Sequence, residues 1–417
     1  MRHSVLLLAM LLAIACGGGS TRGNAFTGAG GDGGLIPAAG GVADAGVPQA
    51  ADAGATDAGP GAPDAGADAG VDGGVTAGCE GLVPADAGTP FFTDLDVGDP
   101  SQICSAAPAD GTGTVPLRVG TFDANGIHRT TWSFFRAQDG SVISSHAYPA
   151  GTGPTALIAQ PQGFIGVELL AADPPRVDLH GIDAEGHDLA TTSADVEAVV
   201  PDPGGGAVGF ALTRAKAGFT LRYERFDAAG RLAASAVAAT GSTAAPDQPV
   251  PWVAGVSVSG DTLLVFGPAG QPCSAVWLDR AGVAVSAVFR PSLCRIRALL
   301  PLADGRLAID AVDQDQNAFI AAAAVPRSPL FGDAPAWLAQ AHVRELFLLP
   351  GGRGHALRRQ GAGRGVELVS PAGLRCGEFA TPELGNGPFV LGRDGTLVEQ
   401  DLGGQACTFR WYPGLFR

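Results

Sequence analysis

The sequence predicts an all-β fold, on three observations. Apolar residues come in short runs or alternate with polar ones, which is the two-residue period of strands. Glycine (63) and proline (31) are abundant and fall between those runs, where turns need them. A loop-then-strand element also returns at steps of roughly 40 to 55 residues, the period of a repeat fold.

The unit is clearest from Val196 to Val237. Val196–Val200 is apolar, Asp202-Pro203-Gly204-Gly205-Gly206 turns the chain, and Ala207–Leu212 is apolar again. Phe219, Leu221 and Tyr223 then alternate with Thr220, Arg222 and Glu224, which predicts a strand with one buried face. Asp227-Ala228-Ala229-Gly230 makes the next turn, and Leu232–Val237 closes a four-stranded meander.

The element recurs. Gln162-Gly163 precedes Phe164–Leu170, and Gly260-Asp261 precedes Thr262–Phe266. Asp304-Gly305, Gly351–Gly354 and Asp394-Gly395 precede later copies. Leu263-Leu264-Val265-Phe266 is apolar without alternation, as suits a sheet covered on both faces. Six copies are visible. Upstream hairpins at Asp123–Gly126 and Ala137–Gly140 imply a seventh. Four strands at this period predict a β-propeller of about seven four-stranded blades over residues 89–417, at about 47 residues per blade. Packed β-sandwiches would have no reason to keep one period. The last copy ends at Phe409–Tyr412 without a fourth strand, so Phe91–Val97 or Val115–Phe122 is expected to close the ring.

At the N-terminus, Arg2 and His3 precede an apolar run from Val5 to Ile14. That run is too short to span a bilayer and suits a signal peptide over residues 1–15. Ala13-Ile14-Ala15-Cys16 resembles the lipobox of bacterial lipoproteins, with Ala13 standing where that family usually has Leu. The resemblance implies cleavage before Cys16, lipid on its thiol, and a place on the bacterial cell envelope, in the outer membrane on its periplasmic or surface face. Residues 16–88 are low in complexity, with Asp-Ala-Gly at Asp44, Asp52, Asp57, Asp64, Asp68 and Asp86. With almost no large apolar side chain to offset chain entropy, this stretch is expected to be a disordered spacer. About 60 such residues reach roughly 40–45 Å. Asp-Ala-Gly-rich tethers behind a lipobox resemble those of myxobacterial envelope lipoproteins.

The net charge is −15 and Lys216 is the one lysine, which argues against a nucleic-acid partner. Leaving Cys16 aside, Cys79, Cys104, Cys273, Cys294, Cys376 and Cys407 form an even set, expected to be disulfide-bonded in an exported chain. Pairing of sequence neighbours would give Cys79–Cys104, Cys273–Cys294 and Cys376–Cys407.

No Gly-x-Ser-x-Gly elbow, phosphate loop, His-Glu-x-x-His or Cys-x-x-Cys occurs, so no catalytic residue is assigned; the sequence leans away from an enzyme and leaves that question open. Asp313, Asp315 and Asn317 place three oxygen side chains on alternate residues, like the start of a calcium loop, although Ala318 and Ala324 depart from that pattern. Asp94, Asp96 and Asp99 are a second acidic group. Calcium is the only ion these residues suggest, and no other cofactor is expected. Longer loops contribute Trp252, Phe331, Asp333 and Trp337, aromatics and a carboxylate that suit sugar or peptide recognition. The expected function is a lipid-anchored binding or scaffold protein that presents a propeller face to an envelope protein, peptide or glycan. The alternatives are a propeller hydrolase or lyase, or an outer-membrane assembly component.

Overall fold

The computed structural model describes residues 78–82, 89–95, 103–122, 127–170, 175–216, 218–245, 248–312, 318–339, 343–359, 365–380, 387–401 and 407–416. Cys16, the signal peptide, the spacer up to residue 77, Asp96, Asp99 and the expected calcium residues Asp313, Asp315 and Asn317 lie outside them.

The strands form seven antiparallel sheets, which are the blades of a β-propeller. A single strand, β1 (Phe91–Leu95), comes first. Blade 1 is β2 (Ile103–Ala106), β3 (Thr114–Phe122), β4 (His128–Arg136) and β5 (Val142–Ala147). Blade 2 is β6 (Ala156–Ala159), β7 (Phe164–Leu170), β8 (Arg176–Ile182) and β9 (Asp188–Ala194). Blade 3 is β10 (Val199–Pro201), β11 (Ala207–Ala215), β12 (Gly218–Phe226) and β13 (Leu232–Ser242). Blade 4 is β14 (Trp252–Val256), β15 (Thr262–Phe266) and β16 (Ser274–Leu278). Its fourth strand is reduced to the bridges Ala275–Phe289 and Leu278–Ala284. Blade 5 is β17 (Ile296–Pro301), β18 (Leu307–Val312), β19 (Ala318–Ala324) and β20 (Phe331–Asp333). Blade 6 is β21 (Val343–Leu348), β22 (His355–Arg359), β23 (Val366–Val369) and β24 (Arg375–Phe379). Blade 7 is β25 (Phe389–Leu391), β26 (Leu397–Asp401), β27 (Cys407–Tyr412) and, from the other end of the domain, β1.

Phe91 pairs with Trp411 and Leu95 with Cys407, so of the two expected closing strands Phe91–Leu95 closes the ring. The other, Val115–Phe122, is taken up in β3, where it is sandwiched between β2 and β4.

The core is divided into seven clusters, one at each seam between blades. This explains the strands without alternation. In β15, Leu264 and Phe266 pack towards blade 3, while Leu263 and Val265 pack towards blade 5. The second strand of a blade is covered on both faces, so period two disappears from β7 and β15, while third strands such as β8 and β12 keep it.

The three disulfides follow the ring and depart from sequence order. Cys273–Cys294 forms as expected, with Cα atoms 5.6 Å apart. The expected Cys79–Cys104 and Cys376–Cys407 do not form. Instead Cys104 on β2 bonds Cys407 on β27 (Cα–Cα 5.7 Å), and Cys79 bonds Cys376 on β24 (Cα–Cα 5.2 Å). Closure brings positions 303 residues apart into contact, which a pairing by sequence distance cannot anticipate. Cys79 and Leu82 are also buried, so the folded body begins ahead of residue 89, inside the stretch expected to be spacer. Three disulfides fit an oxidising, extracytoplasmic compartment. Among the described residues no helix is long and apolar enough to cross a membrane.

Candidate functional site

An antiparallel four-stranded blade puts its first and third connections at one end and its second connection, with the crossover to the next blade, at the other. In this chain the two ends differ. The first end is built from tight hairpin turns such as 160–163, 202–206, 227–231 and 302–306. Glycines there adopt positive φ, and at some of them nothing larger fits. Gly206, at φ +91°, would place a Cβ 2.1 Å from the Phe226 carbonyl oxygen.

Side chains lace this turn face together from blade to blade. The buried Asp110 carboxylate accepts from the Gly163 N–H at 2.7 Å, and Gln160 Oε1 accepts from the Gly206 N–H at 2.6 Å. His355 Nε2 accepts from the Ala303 N–H at 3.0 Å. Arg327 donates to Asp261 at 2.9 Å. Arg393, in the inner turn of blade 7, reaches furthest. Its Nε donates to the Ala159 carbonyl at 2.8 Å, Nη1 to Pro203 at 3.0 Å and Nη2 to Asp202 at 3.0 Å. Its own N–H donates to the Ala109 carbonyl at 2.9 Å. Through its side chain and its backbone N–H, this one residue thus ties blades 7, 1, 2 and 3 around the ring's axis on the turn face. Burial lowers its pKa, and the Asp202 charge opposes that shift.

The other end carries the longer connections, and blades 3 to 5 link theirs into one ledge. The long β11–β12 hairpin projects Arg214 and Lys216, both exposed. Arg214 Nη1 donates to the Gln248 carbonyl at 2.9 Å, in the crossover to blade 4. Gln248 Nε2 donates to the Ala269 carbonyl at 2.9 Å, in the loop between β15 and β16. That loop ends at Cys273, and the disulfide to Cys294 holds it to the crossover into blade 5. Trp252 stands at the inner margin, half-buried, with its ring 5.1 Å from that of Phe210. Its Nε1 donates to Glu197 Oε2 at 3.0 Å. Burial raises the pKa of Glu197, while the Trp252 hydrogen bond and the Arg214 charge pull the other way.

The four residues expected to bind a ligand do not come together. Only Trp252 is on this ledge. Phe331 lies on the outer strand β20 against Phe289, with centroids 5.8 Å apart, and Asp333 is exposed at the end of the same strand. Trp337, on the one-turn helix Ala336–Ala339, packs on His355 at 5.0 Å and covers Gly373. Phe331 and Trp337 fill gaps at the edges of blades 5 and 6, where flat rings bury the most area. Asp94 accepts a hydrogen bond from Thr408 Oγ1. Among the described residues no group of three His, Cys, Asp or Glu could hold a metal ion.

Sequence reasoning missed Arg393, Glu197 and Gln248. Arg393 left a signal, since equivalent turn positions hold Val258 and Ala303. It also missed a line of titratable groups between blades 1 and 2. Thr191 Oγ1 is 3.3 Å from His180 Nδ1, and His180 Nε2 is 2.9 Å from Glu168 Oε2. The Tyr148 hydroxyl beside them donates to Asp188 Oδ1 at 3.0 Å. Burial, then the Asp188 charge, raises the Tyr148 pKa, so the phenol stays protonated.

No protein-family model matches this sequence, and no curated protein matches it. Solved structures it is similar to include the β-propeller domain of the Trilobed protease from Pyrococcus furiosus, described as an open velcro topology. That likeness has 8% identity over 78% of this chain and 94% of that one, at a TM-score of 0.42. Another is Pyrococcus horikoshii acylaminoacyl peptidase, at 9% identity over 72% of this chain and 49% of that one, with a TM-score of 0.43. A third is a puromycin hydrolase, at 13% identity over 77% and 60%, with a TM-score of 0.32. The seven-bladed reading rests on this chain's own strand pairing, in which β1 closes the ring.

Proposed function

We propose that this chain is an exported propeller, held to the cell envelope by lipid on Cys16, whose loop face binds a protein, peptide or glycan. One observation carries the reading. The segment through which the N-terminal stretch enters the fold is fastened to the turn face. Cys79 bonds Cys376, and Leu82 packs with Leu349 and Phe416 beside the inner turns of blades 6 and 7. An anchor upstream of Gly78 would join the fold at the turn face and leave the loop face, with its ledge, clear of the attachment. The low-complexity stretch supplies the standoff.

Two measurements test this. Cys16→Ser should move the protein from the membrane fraction to the soluble fraction; retention on the membrane sinks the anchor. Envelope fragments should retain the purified protein and lose it when Trp252 and Gln248 are both changed to Ala. Equal retention of the variant sinks the ledge.

A second reading, a propeller hydrolase, is favoured by the Thr191–His180–Glu168 line, which puts an exposed hydroxyl, an imidazole and a carboxylate in hydrogen-bonded sequence. It requires turnover of an activated ester such as p-nitrophenyl acetate that Thr191→Val and His180→Asn abolish. Turnover equal to that of the variants rejects it.

A further inference from the structure

We infer that the ledge of blades 3 to 5 binds a linear anionic polysaccharide, a deepening that rests on the binding role proposed for the loop face. The ledge comprises residues 213–216, 243–245, 248–251, 267–273 and 290–295. Across them stand Arg214, Lys216, Arg290 and Arg295, and the sequence of these connections holds one acidic residue, Asp247. That balance is reversed from the chain as a whole, whose net charge is −15. Among the described residues, Lys216, Arg290 and Arg295 are exposed and make no ion pair. Arg297, two residues on, is committed to Asp310, so the neighbouring charges are left for a ligand by contrast. Charges held free in this way strengthen an interaction with an anion, because no partner must first be displaced.

Shape and chemistry narrow the ligand. The cations are strung along three blades and do not converge on one point, so they match repeated charges on an extended chain and not a single phosphate. Arg214→Gln248→Ala269 and Cys273–Cys294 fix the strip before any ligand arrives, which lowers the ordering cost of binding. Five prolines on it (Pro249, Pro251, Pro268, Pro272 and Pro291) have no N–H to offer, so the strip gives an extended peptide few backbone donors to pair with. An anionic bilayer is repelled by the rest of this acidic molecule, whereas a slender chain touches the strip alone. The half-exposed ring of Trp252 at the inner margin gives a sugar a flat apolar face.

The test uses polygalacturonate and, as a neutral control, dextran, with the purified full-length protein. Wild type should bind polygalacturonate and not dextran, and affinity should fall about tenfold or more from about 20 mM to about 200 mM salt. The double variant R290E/R295E should bind about tenfold more weakly or worse, with its melting temperature unchanged because both side chains are exposed. R231E, an exposed arginine on the turn face, should bind as wild type does. Equal loss in R231E, no loss in R290E/R295E, or equal binding of dextran overturns the proposal. If polygalacturonate fails to bind while envelope fragments are still retained through Trp252 and Gln248, the anionic class is wrong and the binding role stands. If neither binds, both fall.

Discussion

The Nη2 group of Arg393 donates to the main-chain carbonyl of Asp202, 3.0 Å away and 191 residues earlier in the chain. Two more carbonyls take the rest of the guanidinium. Arg393→Ala leaves three acceptors unpartnered and should cost about 2–4 kcal/mol. Arg393→Lys recovers only part of that, since one ammonium cannot reach three carbonyls fixed for a planar fork. Thermal unfolding of both variants, with midpoints in the order wild type, Lys, Ala, is the measurement. Equal midpoints would mean that the axis is held by the seams alone.

Cys104–Cys407 should be recovered by peptide mapping without reduction, together with Cys79–Cys376 and Cys273–Cys294. A Cys376–Cys407 peptide would contradict the ring closure described above. Chain-entropy reasoning gives the Cys104–Cys407 bond about 4 kcal/mol, because with Cys79–Cys376 in place the loop it closes is still longer than that of Cys273–Cys294. Cys104→Ser with Cys407→Ser should therefore lower the unfolding midpoint more than the pair at Cys273 and Cys294.

His355 is buried, accepts the Ala303 N–H, and has its pKa pushed down to about 4 by burial. Between about 4 and 6.5 the unfolded chain takes up a proton there that the folded chain refuses. Stability should thus fall as pH drops from 6.5 to 4, by about 3 kcal/mol at most. His355→Gln keeps an acceptor and removes the titration. The variant should lose that part of the slope in unfolding measured across this range; an unchanged slope places the pH dependence elsewhere.

Glu197 has the opposite sign. Burial raises its folded pKa above 4.5, so the folded state binds more protons just above that value. Its stabilising contribution is present at low pH and is lost as pH rises through the folded pKa. Trp252→Phe deletes the indole donor to the carboxylate and should raise that pKa further. A carboxylate resonance followed by NMR would show it, and an unmoved titration would mean that the 3.0 Å contact does not form in solution.

Much of the fold was legible because turns are local. Asp227 bonds the N–H groups of Ala229 and Arg231 within one hairpin, and Gly206 takes a backbone angle that few other residues accept. Such signals survive in the sequence at each repeat, so the blades could be placed without knowing what they pack against. The candidate site was barely legible. Trp252, Phe331 and Trp337 look alike in sequence, yet Trp252 lies on the ledge while the other two fill gaps at the edges of blades 5 and 6. Nothing local marks Gln248 as the residue that joins Arg214 to Ala269.

By itself the sequence determined strands, turns, period and a repeat number near seven, since each depends on residues a few positions apart. Only the tertiary structure decided which strand closes the ring, which cysteines pair, and which polar side chains meet across seams. Those choices depend on distance in space, and closing a ring of seven blades sets Cys104 beside Cys407 and Arg393 beside Asp202 whatever separates them along the chain.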